Sequence, residues 1–146
     1  MSDNFLTIRN TSFGRLTNLI THHLGVKMEK RLAEKGITIK LFGVIMVLIV
    51  EDNITQIEIA KRAGVPGYAT SRTLDQLEKL ELIERTPDPA SRRSFLIVLT
   101  KKGKELAKTL PPIINEVNQE ILAPLNQKEQ EQLILMLQKV TKPLIG

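Results

Sequence analysis

Residues 55–80 read TQIEIAKRAGVPGYATSRTLDQLEKL, and the spacing within this stretch decides the fold. Thr55-Gln56-Ile57-Glu58 has the capping-box pattern, in which the threonine hydroxyl accepts from the amide three residues on and the glutamate reaches back. The helix it opens runs through Ile59, Ala60 and Ala63. Gly64-Val65-Pro66-Gly67 then breaks it sharply. A second helix follows, with Ala69, Thr73, Leu74, Leu77 and Leu80 at the spacing of one inward face. Two short helices joined by a tight glycine-containing turn make a helix-turn-helix.

Downstream of Leu80 the hydrophobic period changes to two. Leu82 to Thr86 and Ser94 to Leu99 alternate as strands, with Phe95, Ile97 and Leu99 sharing a face. The polar loop between them, Pro87 to Arg93, ends in paired arginines, so the ribbon reads as a basic wing. Thr100-Lys101-Lys102-Gly103 leads into a helical tail that Pro111-Pro112 must kink or split, because proline lacks the amide donor and crowds the preceding turn. Asn126 to Glu129 is a second capping box, opening a last helix with Leu133, Ile134, Leu137 and Val140 inward.

Upstream, residues 5–35 read as one amphipathic helix, carrying Phe5, Ile8, Phe13, Leu16, Leu19 and Ile20 largely at spacings of three and four. Gly36 stops it and Thr38 caps the next helix, Leu41 to Val50, which is apolar on nearly all sides and reads as a central helix enclosed by others. The expected fold is mainly α with a small antiparallel β-wing, a winged helix-turn-helix between N- and C-terminal helices. Residues 37–109 form the winged helix-turn-helix region; residues 1–36 and 110–146 form a helical dimerisation region. The terminal stripes exceed what the small central module can cover, and an uncovered patch of that size is unusual on a monomer.

The 146-residue chain is 42% hydrophobic, enough for a real core, with a formal net charge of +5. Much of that charge is local: residues 85–110 hold seven basic side chains against two acidic ones, the footprint of a phosphate-binding surface. There is no cysteine, so disulfides and thiol chemistry are excluded. Asp3 and the lack of a basic segment before an apolar run argue against a signal peptide. The longest apolar run is about half of what a membrane span needs. A cytoplasmic protein without membrane partners is expected. No Gly-rich phosphate loop, clustered His and carboxylate, or nucleophile-plus-base spacing is present, so an enzyme is not expected, nor any cofactor.

Five sequence words carry a resemblance: Thr55-Gln56-Ile57-Glu58-Ile59-Ala60, Ser71 to Glu78, Leu82-Ile83-Glu84-Arg85, Asp88-Pro89-x-x-Arg92-Arg93, and Leu99-Thr100-Lys101-Lys102-Gly103. In this order and spacing they resemble the multiple-antibiotic-resistance regulator (MarR) family, with recognition-helix wording closest to its SlyA-like branch. The resemblance runs from about Ile8 to the C-terminus. It implies a homodimeric transcription factor with a recognition helix in the major groove, a wing in the flanking minor groove, and a pseudo-palindromic operator. It also implies a small-molecule effector, often an aromatic or phenolic anion, held between the DNA-binding lobe and the dimerisation helices. Two positions depart from the pattern. Glu81 stands where the family usually has Gly, so the helix exit is expected to differ if a left-handed conformation is too strained for Glu. Ser91 stands where the family tends to have Asp, leaving a wing arginine looser or held by Asp88.

Residue chemistry suits that picture. With Leu74 and Leu77 inward, helical spacing turns Thr70, Ser71, Arg72 and Gln76 toward the outer face or its margins, with Tyr68 just before the helix. Arg72 offers a bidentate pair to guanine and Gln76 one to adenine, each worth roughly 1–3 kcal/mol of base discrimination. Arg92 and Arg93, with Ser94 beside them, suit a narrow, electronegative minor groove. Gln56, Lys101, Lys102 and Lys104 are candidate phosphate contacts, which set affinity and salt dependence rather than sequence preference. His22 and His23 are candidates for the effector pocket. A metal site there is disfavoured, because adjacent helix positions diverge by about 100°. Two non-enzymatic alternatives stay open: a sequence-tolerant DNA-organising protein of the same fold, and a module whose winged helix binds a protein partner.

Overall fold

Threonine caps and glycine exits set the helix boundaries in the computed structural model, which describes residues 2–145. Thr38 Oγ1 accepts from the Leu41 amide at 3.4 Å and opens α3 (Ile39–Val50) in the order below. Thr55 does the same for the Glu58 amide at 3.3 Å, and Thr100 for the Gly103 amide at 3.0 Å. Each cap stabilises its helix by about 1 kcal/mol relative to alanine. The elements run α1 (Ser2–Thr11), α2 (Phe13–Glu34), α3, β1 (Ile54–Thr55), α4 (Gln56–Ala63), α5 (Gly67–Lys79), β2 (Ile83–Asp88), β3 (Ser91–Leu99), α6 (Lys101–Lys108), α7 (Leu110–Leu122) and α8 (Gln127–Thr141). A 3-10 turn, Lys142–Leu144, follows α8.

Three exits share one geometry. Gly36 and Gly64 sit in the left-handed region at φ 73° and 66°, and Glu81 joins them at φ 60°. In each case the next amide bonds back to the carbonyl five residues earlier, as in Ile37 to Leu32 (3.2 Å) and Leu82 to Leu77 (2.9 Å). That is the Schellman closure. The expectation of a different exit at Glu81 is therefore corrected: the six-to-one and five-to-two hydrogen bonds hold a non-glycine residue in the conformation glycine favours.

The chain divides into two compact units, Gly25–Ile114 and a second one made of residues up to Leu24 with those from Asn115 onward. In the first unit α3 is central, packing on α4, α5, α6 and β3 through Leu41, Val44, Ile45 and Leu48. Ile59, Leu74, Leu77, Ile83 and Ile97 complete the buried core. Each such side chain contributes roughly 1.5–3 kcal/mol on burial. Ile49 and Val50 stay exposed at the end of α3, so that helix is enclosed along one face rather than all round. Leu80, expected inward, is likewise partly exposed.

The sheet has the order β1-β3-β2, all antiparallel. The short β1 was not legible in the sequence; Ile54 pairs with Ile97, and Asp52 Oδ1 anchors the junction by accepting from the Leu99 amide at 2.9 Å. The wing strands extend further than expected, leaving Pro89 and Ala90 as the turn. Pro87 fits because β2 is an edge strand, where a missing donor need not interrupt a ladder. Ile97 and Leu99 are buried, whereas Phe95 on the same face is exposed further along the ribbon. Gly103 is required by close approach, since a Cβ there would lie 2.1 Å from the Leu82 carbonyl oxygen.

The second unit corrects the reading of residues 5–35 as one helix. Ser12 interrupts it, and its hydroxyl accepts from the Arg15 amide at 3.5 Å to start α2. Prolines 111 and 112 do split the tail, at Thr109, and both lie in the first turn of α7. Asn126 and Glu129 form the full reciprocal capping box. Along α8, Leu133 and Leu137 are half-buried, but Ile134 and Val140, expected inward, are exposed within the chain. Phe5, Ile8, Phe13, Leu19 and Ile20 are exposed as well.

Candidate nucleic-acid interface

Pro66 ends the turn that Gly64 begins, and α5 starts at Gly67 without a side-chain cap. Thr70, Thr73, Leu74 and Leu77 form its buried side. Thr70 is only 1% exposed and its hydroxyl donates to the Pro66 carbonyl at 3.2 Å, so it does not face outward as expected. The reason is angular: Thr70 shares a stripe with Thr73, Leu74 and Leu77 at the 3- and 4-residue spacing of one helix face. Tyr68 lies inside the first turn of α5 rather than before it, and is 73% exposed. Arg72 and Gln76 are exposed and Ser71 is half-buried. Tyr68, Arg72 and Gln76 follow one another at four-residue steps, so they form a continuous outward ridge of donors.

In the wing, Arg92 and Arg93 stand exposed at the start of β3 and form no ion pair among the described residues. Asp88 does not hold either of them. Its Oδ2 accepts from the Ser94 hydroxyl at 2.6 Å and its Oδ1 from the Ala90 amide at 2.9 Å. The carboxylate therefore shapes the turn instead of orienting an arginine. The Ser94 hydroxyl, and then the Ala90 amide, hold the Asp88 carboxyl below its ordinary value. Ser94 is half-buried and committed to this staple.

The candidate phosphate contacts differ in their freedom. Gln56 is half-buried at the first position of α4. Lys101 is exposed and forms no ion pair among the described residues. Lys102 is engaged: its Nζ donates to the Leu80 carbonyl at 2.8 Å and lies 3.7 Å from Glu81 Oε2, where a cation complements a helix C-terminus. Lys104 lies 3.8 Å from Asp52 Oδ2. Two other arginines are neutralised inside the fold. Arg62 bridges Glu51 (2.5 Å) and Glu58 (2.9 Å), so Glu58 does not complete the capping box expected at Thr55. The hydrogen bond from Arg62 is the main reason the Glu58 carboxyl lies low, and the Arg62 guanidinium is raised in return. Arg85 of β2 pairs with Asp75 Oδ1 at 2.8 Å and with Glu78, tying the strand to α5. Sequence reasoning missed this clamp, whose members are brought together only by the strand packing on the helix.

The winged helix-turn-helix matches a known family: residues 35–94 fit the profile of the MarR family. The wild-type apo form of MarR from E. coli has a TM-score of 0.81 at 27% identity, over 88% of this chain and 96% of that one. The winged helix-turn-helix of this chain is similar to that of the MarR family. A mutant of E. coli MarR complexed with operator DNA is 26% identical, with a TM-score of 0.80 over 92% of this chain and 97% of that one. A MarR family protein from Mycobacterium tuberculosis in complex with salicylic acid is 25% identical, with a TM-score of 0.75 over 89% of this chain and 96% of that one. The chain thus has the fold of the MarR-family transcriptional regulators along nearly its full length.

Within this MarR-family fold, His22 and His23 lie on α2, exposed, with ring centroids 5.4 Å apart edge-on at 78°. They do not line the cleft of about 450 Å³ that Ile37, Leu80, Leu82, Leu106, Lys35 and Lys102 help form beside the exit of α5. Among the described residues, no group of three or more His, Cys, Asp and Glu side chains is placed to hold a metal. Among them, too, no helix is long and apolar enough to cross a membrane.

Proposed function

We propose that the chain is a cytoplasmic transcriptional regulator that binds a pseudo-palindromic operator as a homodimer. One observation carries the reading: the outward ridge of α5 and the wing tip keep their cations unpaired, while arginines elsewhere in the same module are neutralised by carboxylates. Arg72 and Gln76 read base edges, with Tyr68 and Ser71 at the margins of the groove. Arg92 and Arg93 enter the flanking minor groove. Lys101 and Gln56 contact phosphates, and Lys102 supports α5 from behind while its free donors reach toward the backbone. The operator complex of a relative 26% identical supports the same use of the fold here. The wording of α5 supports a place nearest the SlyA-like branch.

Residues 37–109 take the DNA-binding role; residues 1–36 and 110–146 take dimerisation. The exposed apolar side chains of α1, α2 and α8 support this, because a second copy that covers them buries a patch too large for a lone monomer. Dimerisation then sets two recognition helices about 34 Å apart, one turn of DNA. An aromatic or phenolic anion bound near His22 and His23 weakens DNA binding by linkage, since its differential affinity for two conformations shifts their balance. The salicylic acid complex of a relative 25% identical supports that class of ligand.

The test is fluorescence anisotropy with DNA upstream of the chain's own gene against scrambled DNA, with and without salicylate. Preference for the upstream DNA that salicylate reduces is the expected result. Equal binding to both DNAs with a steep salt slope favours the sequence-tolerant organising role instead.

A further inference from the structure

The outer face of α5 carries a charge conflict. Arg72 and Lys79 stand against Asp75 and Glu78, so the ionised side chains of this helix sum to zero. Asp75 and Glu78 lie one turn apart on the flank of the ridge formed by Arg72 and Gln76. Carboxylates so placed repel a phosphate backbone and each other. Arg85 changes the balance from outside the helix. Its Nη2 meets Asp75 Oδ1 at 2.8 Å while its Nη1 pairs with Glu78, and its side chain is 20% exposed against 58% and 46% for the carboxylates. The backbone of Arg85 is registered opposite Ile97, itself buried, so the strand fixes the fork and the carboxylates come to it. A planar guanidinium presents its donors in a rigid fork, so it can hold two carboxylates in one fixed geometry, which the rotatable donors of a flexible lysine do not impose. Exposed ion pairs add little to stability, so folding alone is a weak reason for this arrangement.

We infer that Arg85 is a positioning residue for DNA binding: its guanidinium holds Asp75 and Glu78 against β2, away from the phosphates, and gives α5 the net positive charge its approach to DNA requires. This rests on the DNA-binding reading above. Arg85 itself touches no nucleic acid; it acts through the two carboxylates.

Anisotropy titrations of the full chain with DNA upstream of its own gene test this. The variants are R85A, the pair D75N/E78Q, and all three changes together, with urea unfolding midpoints measured alongside. R85A is expected to weaken binding about tenfold at low salt, where unscreened like charges cost most. The triple variant is expected to recover to within about threefold of wild type, because the effects of contacting residues are not additive. D75N/E78Q is expected to bind at least as tightly as wild type, because the two carboxylates that repel phosphate are gone. R85A binding like wild type, or a triple variant as weak as R85A, overturns the inference. If R85A fails to fold, D75N/E78Q decides: weaker binding by that pair overturns it. A wild-type chain that binds no DNA at low salt removes the DNA-binding reading and this inference together, an outcome distinct from the others.

Discussion

Arg62 and Arg85 are each held between two carboxylates, whereas Arg72, Arg92 and Arg93 face solvent with no ion pair among the described residues. The side chain is the same; its surroundings assign its use. Glu81 shows the same dependence on context for the backbone. It is held at φ 60° by the Schellman closure, by Thr100 Oγ1 donating to its carbonyl at 2.6 Å, and by Lys102 nearby. Left-handed backbone costs a non-glycine residue about 1–2 kcal/mol. The exposed Lys102 contact offsets little of this. Glu81→Gly is therefore expected to raise the urea midpoint, by about 1 kcal/mol of stability after the entropy of glycine in the unfolded chain is allowed for. A lower midpoint would show that the Glu81 side chain stabilises more than its backbone strain costs.

Among the elements, the wing depends most visibly on one side chain. Asp88 staples Ala90 and Ser94, and its folded-state pKa lies below the ordinary 3.8. The sign follows from linkage: the staple is fully present above the unfolded value and is lost as pH falls through the lower folded value. Hydrogen exchange across residues 88–94 is expected to show weaker protection in Asp88→Asn than in wild type at neutral pH. The difference should vanish in acid strong enough to protonate Asp88; a difference independent of pH would show that the charge is irrelevant to the staple. The elements were largely legible in the sequence because caps and glycines are local signals: Thr38, Thr55, Gly36, Gly64 and Asn126 all act where expected. What was illegible depends on partners distant in the chain. β1 exists only because β3 offers Ile97, and Thr70 faces inward because its stripe packs on the core. The Arg85 clamp spans residues 10 and 7 apart that no periodicity relates. The break at Ser12 was a missed local signal, a serine cap three residues before Arg15.

For the whole molecule, the apolar side chains left uncovered in α1, α2 and α8 argue for self-association. Leu19 is 50% exposed in the single chain, so a charge there costs a monomer little. Leu19→Glu is expected to give the mass of one chain by light scattering where wild type gives two, with DNA affinity lowered because half-site spacing is lost. A variant that stays dimeric would place the contact elsewhere.

In the proposed function, this winged helix-turn-helix reads DNA sequence through α5 and the wing. The most direct measurement is anisotropy of labelled DNA from upstream of its own gene against scrambled DNA, from low to physiological salt, for wild type and for Arg72→Ala. Clear preference for the upstream DNA is expected, with Arg72→Ala losing about 1–3 kcal/mol of that preference. Equal affinity for both DNAs at every salt, unchanged by Arg72→Ala, would contradict it.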